Sequence, residues 1–373
     1  MIYDVIIIGG GLSGLVNSIE LGRGGLSVLL IEKKDYPQHR VCGEYVSNEV
    51  LPYLRSLGFD PFSIGAKNLS RFQLSSNSGT IAETALPLGG FGLSRYAFDE
   101  ALYKIALGHS VNFSLNETVE KVEEINGIFK VKTQKGKEFE SKLVLGSQGK
   151  RSVLDKSLDR KFINKRTAYF AVKCHYRGDF PDDLVSLHNF KGGYCGLSMI
   201  ENGDINVCYL SWESHLKKYG SIERMQKELL SQNHYLKKVF SDWEPVFKSP
   251  LSISQIYFSQ KELNSNGILM SGDAAGLIYP LCGNGMAMAI HGAKILSELV
   301  LSYFNSEISK PELEISYQKN WKKEFSGRLN AGATLQHFFG NTIISGTAVM
   351  LLKTFPRIGK KVIKATHGKE INI

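Results

Sequence analysis

Apolar and polar positions alternate between two rhythms along the chain. Residues 3–8 form a nearly unbroken apolar run that predicts a buried strand, residues 12–24 carry a helical period, and Ser27-Val28-Leu29-Leu30-Ile31-Glu32 predicts a second buried strand. Strand, helix and strand in that order make a βαβ unit. Short alternating strands follow near 69–86 around the turn signal Asn77-Ser78-Gly79, and residues 95–108 read as a helix. Strands then run to about 146, with Asn126-Gly127 as the hairpin turn between 117–125 and 128–134. A strand-rich stretch over 167–211 precedes helical patterns at 221–240. From Gly267-Ile268-Leu269-Met270-Ser271 the chain returns to a buried strand, then a long helix from about 284, and ends in helices to 373.

The pieces that read as a parallel, doubly wound sheet are thus separated by mostly antiparallel strands, and no repeat or long flexible linker divides them. The expected fold class is α/β, with a Rossmann-like nucleotide-binding domain assembled from residues 1–70, 95–160 and 265–305. A mixed β-sheet substrate domain is expected over 71–94 and 161–264, and a C-terminal helical region over 306–373.

Composition narrows the class. The chain has 373 residues, 43% of them apolar, which is ample for a buried core. Five cysteines without a C-x-x-C pair or clustered histidines point to reduced thiols, not a disulfide framework or a zinc site, and no metal is expected. Strand residues begin at once, with no charged leader and hydrophobic stretch before them, so a cytoplasmic protein is expected. No run approaches the roughly 18 apolar residues of a spanning helix. The net charge of +9 changes the picture only where it is concentrated. Lys353, Arg357, Lys360, Lys361 and Lys364 interleave with Leu351, Leu352, Phe355, Ile358, Val362 and Ile363. That basic amphipathic pattern predicts peripheral contact with anionic membranes through 351–364, and no nucleic-acid partner is expected.

The chemistry begins at Gly9-Gly10-Gly11-Leu12-Ser13-Gly14, which ends the first strand and opens the first helix. Gly9 permits the tight turn, Gly11 lets backbone approach a pyrophosphate, and Gly14 lets helix and strand pack closely. The helix start, through Leu12 and Ser13, offers amide donors and a positive dipole end. Glu32 closes the second strand, placed to accept hydrogen bonds from an adenosine ribose, with Lys33 beside it. An acid there disfavours a 2′-phosphate. These residues fit NAD or FAD alike.

The second motif decides. Gly267 to Gly276 with Gly272-Asp273 at its centre, followed by Pro280 and Gly283-Asn284-Gly285-Met286, resembles the second flavin fingerprint of the aromatic hydroxylase and geranylgeranyl reductase superfamily. The resemblance implies FAD as cofactor and a p-hydroxybenzoate hydroxylase-like FAD/NAD(P)-binding fold. It assigns Asp273 to the flavin's ribityl chain and the Gly283–Met286 turn to its pyrimidine edge, where helix amides favour the reduced, anionic ring. His39-Arg40-Val41-Cys42-Gly43-Glu44 is similar to the Arg-Cys-Gly-Glu stretch of the reductase branch, implying that Arg40, Val41 and Cys42 pass along the cofactor. Ser94-Arg95-Tyr96-Ala97-Phe98-Asp99 resembles the superfamily's Arg-x-x-Phe-Asp helix start, whose arginine, here Arg95, contacts the cofactor.

Departures from the family pattern bear on the reaction. Gln148 in Gly146-Ser147-Gln148-Gly149 stands where the hydroxylases carry an aspartate, although Lys150 and Arg151 could meet a nucleotide phosphate, so NAD(P)H remains a possible transient reductant. The reductases' Tyr-x-Trp-x-Phe-Pro cavity segment is here Tyr194-Cys195-Gly196-Leu197-Ser198-Met199, with only the tyrosine kept. No halogenase Trp-x-Trp-x-Ile-Pro segment is present. The cofactor carries the hard chemistry in such enzymes, so the sequence leaves the catalytic residues open, with Cys42, Tyr194 and His291 as candidates. The expected reaction is hydroxylation of a small lipophilic aromatic or polyketide-like substrate. The alternatives are reduction of carbon–carbon double bonds in a lipid or isoprenoid, and flavin binding without turnover.

Overall fold

In the computed structural model, which describes residues 1–165, 167–336 and 342–372, the opening strand β1 (Ile2–Ile8) lies between two parallel neighbours. On one side is β2 (Val28–Glu32), in register Val5 to Val28 and Ile8 to Ile31. On the other is the closing strand of the middle segment, which pairs Ile8 with Gly146. Val5 to Ile8 and the whole of β2 are buried, as their continuous apolar runs require for a parallel sheet covered on both faces.

Further strands complete two sheets. They are β3 (Tyr45–Ser47), β4 (Lys67–Ser75), β5 (Ile81–Gly92), β6 (Asn112–Leu115), β7 (Val119–Ile125), β8 (Ile128–Thr133) and β9 (Glu138–Gly146). After them come β10 (Tyr169–Arg177), β11 (Leu184–Phe190), β12 (Gly193–Met199) and β13 (Ile205–Trp212). The first sheet runs from strand Ile268–Met270 through β9, β1 and β2 to β6, all parallel, with the β7–β8 hairpin joined to β9. The hairpin turns at Asn126 and Gly127, with φ of 51° and 79°, the left-handed pair that an Asn-Gly turn supplies. The second sheet runs β10, β13, β12, β11, β4, β5, β3, antiparallel except where β11 meets β4. β3 and the start of β4 therefore belong to this second sheet although they lie within residues 1–70.

Strand alternation gives the second sheet two different faces. Phe170, Val172, Cys174 and Tyr176 of β10, with Val207 and Tyr209 of β13, pack against the helices of residues 222–242 through Met225, Leu236 and Val239. Ala171, Tyr194 and Leu210 point the other way. The C-terminal helices Thr342–Thr354 and Pro356–Thr366 pack across β5, placing Val349 against Leu74 and Ala82. The sequence pattern continues helix to residue 373, but the helix ends at Thr366. Beyond it the backbone is drawn into other bonds: Gly368 N donates to Glu49 Oε2 (2.6 Å) and Ile371 N to the carbonyl of Glu49 (2.9 Å).

Under the other face of the sheet lies a closed polar knot. His188 is buried, with Nδ1 2.8 Å from Ser75 Oγ and Nε2 2.9 Å from Ser186 Oγ, and its ring stacks on Tyr235. Burial alone pushes its pKa down to about 3, so the ring stays neutral, one nitrogen donating and the other accepting. An unfolded histidine titrates near 6.5, so the unfolded chain binds a proton that the fold refuses. The stabilisation is complete above about pH 6.5 and is lost as pH falls toward 3. In urea unfolding followed as a function of pH, His188→Gln should make the loss of stability over this window shallower by up to about one proton. An unchanged slope would remove His188 from the acid response.

Candidate flavin site

Between β1 and the helix Leu12–Arg23, three glycines meet three different constraints. Gly9 has φ of +102°, and a Cβ there would lie 2.4 Å from the carbonyl oxygen of Ser147. A Cβ on Gly14 would lie 2.0 Å from the Gly9 carbonyl, so helix and strand touch only because both residues lack side chains. Gly11 is different: its added Cβ meets nothing closer than Arg95 Nη2 at 3.7 Å, leaving open space over the loop. No side chain caps this helix, so its first amides face the cavity without a side-chain partner. Glu32 is buried, with Oε2 accepting from Gly10 N at 2.6 Å and Oε1 without a partner among the described residues. An orphaned buried acceptor costs about 1–3 kcal/mol, and a ribose hydroxyl would satisfy it.

The expected arginines converge here. Arg95 holds the fully buried Asp99 with two bonds of 2.7 Å, and Arg40 adds a third at 3.0 Å while also donating to the Gly10 carbonyl at 3.2 Å. Burial opposes the charge on Arg95, but Asp99 outweighs it and raises the guanidinium's pKa. Both arginines border the cavity beside Gly11, with Lys33 at its rim. Arg40 thus has protein partners of its own, and its first effect is to brace Asp99 and the glycine loop.

The other end of the site is built by strand Ile268–Met270 and the turn after it. Ser271 Oγ lies 2.5 Å from Ser13 Oγ, and Gly272, at φ +62°, admits no Cβ because Ser13 Cβ would be 2.8 Å away. The next residue, Asp273, opens onto the same cavity as Gly11 and Arg95. Farther on, Gly283 (φ +64°) brings the turn against the Tyr45 ring, 3.0 Å from where a Cβ would stand. Gly285 and Met286 open the helix Gly285–Phe304, again without a side-chain cap. The Asn284 side chain is committed elsewhere, donating to Thr366 O at 2.9 Å and to Glu49 at 3.3 Å. Any part it takes in holding a cofactor therefore falls to its backbone.

The segment 39–44 crosses from one end to the other. Asn206 Nδ2 holds the Cys42 carbonyl (3.2 Å) and Ser198 Oγ the Gly43 carbonyl (3.3 Å), so Ser198, in the segment that replaces the reductases' cavity motif, secures this crossing. Glu44 is fully buried in a left-handed conformation (φ 53°), paired with Lys173 and with His175 Nε2 at 2.7 Å, and it accepts Arg95 N at 2.7 Å. Burial would raise its pKa, but Lys173 and His175 outweigh that and hold it below the usual carboxylate value. Gln148, the departure from the hydroxylase pattern, donates to Asp155 at 3.0 Å; Asp155 pairs with the buried Arg160 at 2.9 Å, whose Nη2 reaches the Ala274 carbonyl. Lys261, its pKa lowered to about 8 by burial, bonds the carbonyls of Lys150 and Asp273 at 2.8 Å each. Glu44 closes the Arg-Cys-Gly-Glu stretch, but Lys173, His175, Arg160 and Lys261 carried no pattern in the sequence, because their partners lie far away along the chain.

One cavity of about 800 Å³ joins these parts, running from Gly9, Gly11 and Glu32 past Arg40, Val41 and Cys42 to Asp273 and Gly283. It continues beneath the C-terminal helices as an apolar arm walled by Phe72, Leu74, Leu86, Val185 and Leu352. Cys42 Sγ lies 3.5 Å from Met286 Sδ at the junction of the two parts. Tyr194 is fully buried in the wall. His291 is a correction: it does not border this cavity but lies 3.7 Å from Glu324 and edge-on to Phe325, because the helix turns that face toward helix Lys310–Gln336. Two residues not singled out from sequence do border it, Tyr45 and His367, with Tyr45 Oη 3.2 Å from His367 Nε2.

A glycine loop with an orphaned acid at one end and a Gly-Asp turn with an uncapped helix at the other define an FAD-binding oxidoreductase. Residues 2–71 match the family model described as an FAD binding domain, and the chain is an FAD-dependent oxidoreductase. It is similar to the digeranylgeranylglycerophospholipid reductase of Methanosarcina acetivorans, 25% identical over 91% of this chain and 85% of that protein. It is also similar to conditioned medium factor receptor 1 of Dictyostelium discoideum, 23% identical over 90% of this chain and 71% of that protein. The structure of a flavin-dependent brominase shares the fold, with a TM-score of 0.80 and 19% identity over 98% of this chain and 93% of that one. The expected p-hydroxybenzoate hydroxylase-like fold is thereby confirmed.

Because the space over Gly11 is open whereas that over Gly14 is filled by backbone, the two glycines should separate binding from folding. Gly11→Val should fold with near-normal thermal stability as apoprotein yet bind FAD about a hundredfold more weakly, ~2.7 kcal/mol. Gly14→Val should fail to fold. Flavin fluorescence titration beside circular dichroism reads both, and equal FAD affinity in Gly11→Val would refute the placement of the pyrophosphate.

Proposed function

We propose that this oxidoreductase saturates carbon–carbon double bonds in a long isoprenoid or other lipid chain. The observation that carries the reading is the apolar arm of the cavity, continuous with the flavin end and roofed by the protein's own C-terminal helices. Binding sites of this kind select by apolar burial, with a few placed polar groups fixing orientation. An extended hydrocarbon needs little more than such walls, whereas a phenolic ring presented for hydroxylation needs a polar partner for its hydroxyl. The reductase of Methanosarcina acetivorans, similar over nearly the whole chain, supports the lipid reading by its name. Loss of the bulky cavity segment at Gly196 is compatible with it: Leu187, 3.3 Å from where a Cβ would stand, fills that wall instead.

FAD supplies the electron pair for the reduction. The chain's residues bind and orient it: Gly11 and the helix start at the pyrophosphate, Glu32 at the ribose, Asp273 at the ribityl chain, and the amides of Gly283 to Met286 at the pyrimidine edge. Lys150 and Arg151 border the flavin end, where the phosphates of NAD(P)H as a transient reductant would meet them. Saturation delivers hydride to one carbon and requires a proton at the other. Tyr45 Oη carries that proton at the boundary between the Gly283 turn and the lipid arm. Burial raises the pKa of Tyr45, so its hydroxyl stays protonated. Burial likewise lowers that of His367, leaving a neutral ring whose Nδ1 donates to the Ile363 carbonyl and whose Nε2 accepts from Tyr45. Apolar walls around the arm would limit the water that reaches the reduced ring.

Photoreduced enzyme mixed anaerobically with a polyprenyl lipid should yield product heavier by two hydrogens per bond. Tyr45→Phe should slow that step about a hundredfold while leaving FAD bound. The hydroxylation first expected from the motifs makes the opposite demand. Incorporation of one labelled oxygen atom into a lipophilic phenol, with no anaerobic saturation of any polyprenyl lipid, would overturn the reductase reading in its favour.

A further inference from the structure

The two C-terminal helices do two different things with their two faces. In helix Pro356–Thr366, Val362, Ile363 and Thr366 border the lipid arm, while Arg357, Lys360, Lys361 and Lys364 are exposed. Those cations recur at the spacing of a single helical face. In helix Thr342–Thr354, Val349 and Leu352 pack inward against β4 and β5, while the outward face carries, beside Thr347, Lys353 and Thr354, large apolar side chains: Ile344, Met350 and Leu351 are 41%, 64% and 50% exposed, and Phe355 just beyond is 53% exposed. The sequence pattern alone placed the apolar residues of 351–364 on one side. The structure divides them: Val362 and Ile363 serve the cavity, Leu351 and Phe355 stand outside, and the side chain of Ile358 lies outside the described residues.

We infer that this pair of helices docks on an anionic lipid bilayer and opens the lipid arm directly into it. Apolar side chains flanked by a row of cations match the layering of a membrane surface, hydrocarbon beneath phosphate. From residue 342 to 366 the chain carries five lysines and arginines and no acid. Glu83, on the β5 strand that these helices cover, is already paired with Arg71 at 2.9 Å. Leu351 supplies the link to the site, because it borders the cavity and is also half exposed. The mouth of the lipid arm therefore lies within the docking face. A chain entering there leaves the bilayer without crossing water, where each exposed methylene would cost about fourfold in partition. The purpose of the docking rests on the lipid-substrate reading; the docking itself is measured without turnover.

The test is sedimentation of the FAD-loaded protein with vesicles of phosphatidylcholine, with and without phosphatidylglycerol, at low and high salt. Binding should require phosphatidylglycerol and fall with salt. Combined Arg357→Gln, Lys360→Gln, Lys361→Gln and Lys364→Gln should weaken it about a hundredfold or more, at roughly fivefold per cation. Met350→Ser with Phe355→Ser, neither of which borders the cavity, should also release the protein from vesicles while preserving turnover of detergent-dispersed lipid. Equal binding to both vesicle types, or none to either, overturns the inference. So does light scattering that finds a dimer which the Met350→Ser, Phe355→Ser variant splits, since the face would then belong to a second copy of the chain. Vesicle binding without any lipid turnover in detergent would count against the reductase reading and leave the docking intact.

Discussion

Two serine hydroxyls 258 positions apart in sequence touch at 2.5 Å, and the flavin site depends on that meeting. FAD is long, and the two motifs that resemble flavin fingerprints lie far apart in the chain. Ser13 sits in the helix that follows the glycine loop, and Ser271 ends the strand that leads to Asp273. The contact is possible because strand Ile268–Met270 adds to the same parallel sheet as β1, separated from it only by β9. Gly272 lets the turn pass Ser13 where any side chain would collide. Everything between must fold out and return, which is why the second sheet is an insertion and not a separate domain.

The crossing segment 39–44 is held by charge in a region where charge is expensive. Removing one partner of a buried ion pair typically costs about 3–5 kcal/mol, whereas the intact pair adds little net stability. Glu44, with Lys173 and His175 from odd positions of β10, is therefore a device of position: it ties the strand face that carries Ala171 at the cavity to the crossing chain. Gln148, Asp155 and Arg160 do the same for the middle segment, ending on the Ala274 carbonyl beside Asp273. A glutamine in place of an aspartate thus keeps the connection without adding a second negative charge beside Asp155.

Glu49 plays the corresponding part for the roof. Fully buried, it gathers Arg328 at 2.7 Å, Gly368 N at 2.6 Å and the Asn284 amide at 3.3 Å, so helix, C-terminal tail and flavin turn share one carboxylate. The arrangement places His367 beside Tyr45 and fixes the end of the helix that roofs the apolar arm of the cavity. The residues that roof the cavity also present the outer face to the surroundings.

The sequence by itself determined the two cofactor motifs, the α/β class and the order of the long strands and helices, but not short elements such as Tyr45–Ser47, Leu51–Ser56 and Glu213–Tyr219. Those features are local. A glycine required by close approach, an acid at the end of a strand and an apolar period are all written within a few residues. What only the tertiary structure decided is who meets whom over long separations. It turned His291 toward Glu324 and away from the cavity, committed the Asn284 side chain to the tail, ended the last helix at Thr366, and set Tyr45 against His367, 322 positions away. None of these pairings leaves a period or a spacing to read, because each is fixed by the packing of two sheets and the tail upon one another, and a hydrogen bond between distant residues exists only once that packing has brought them within reach.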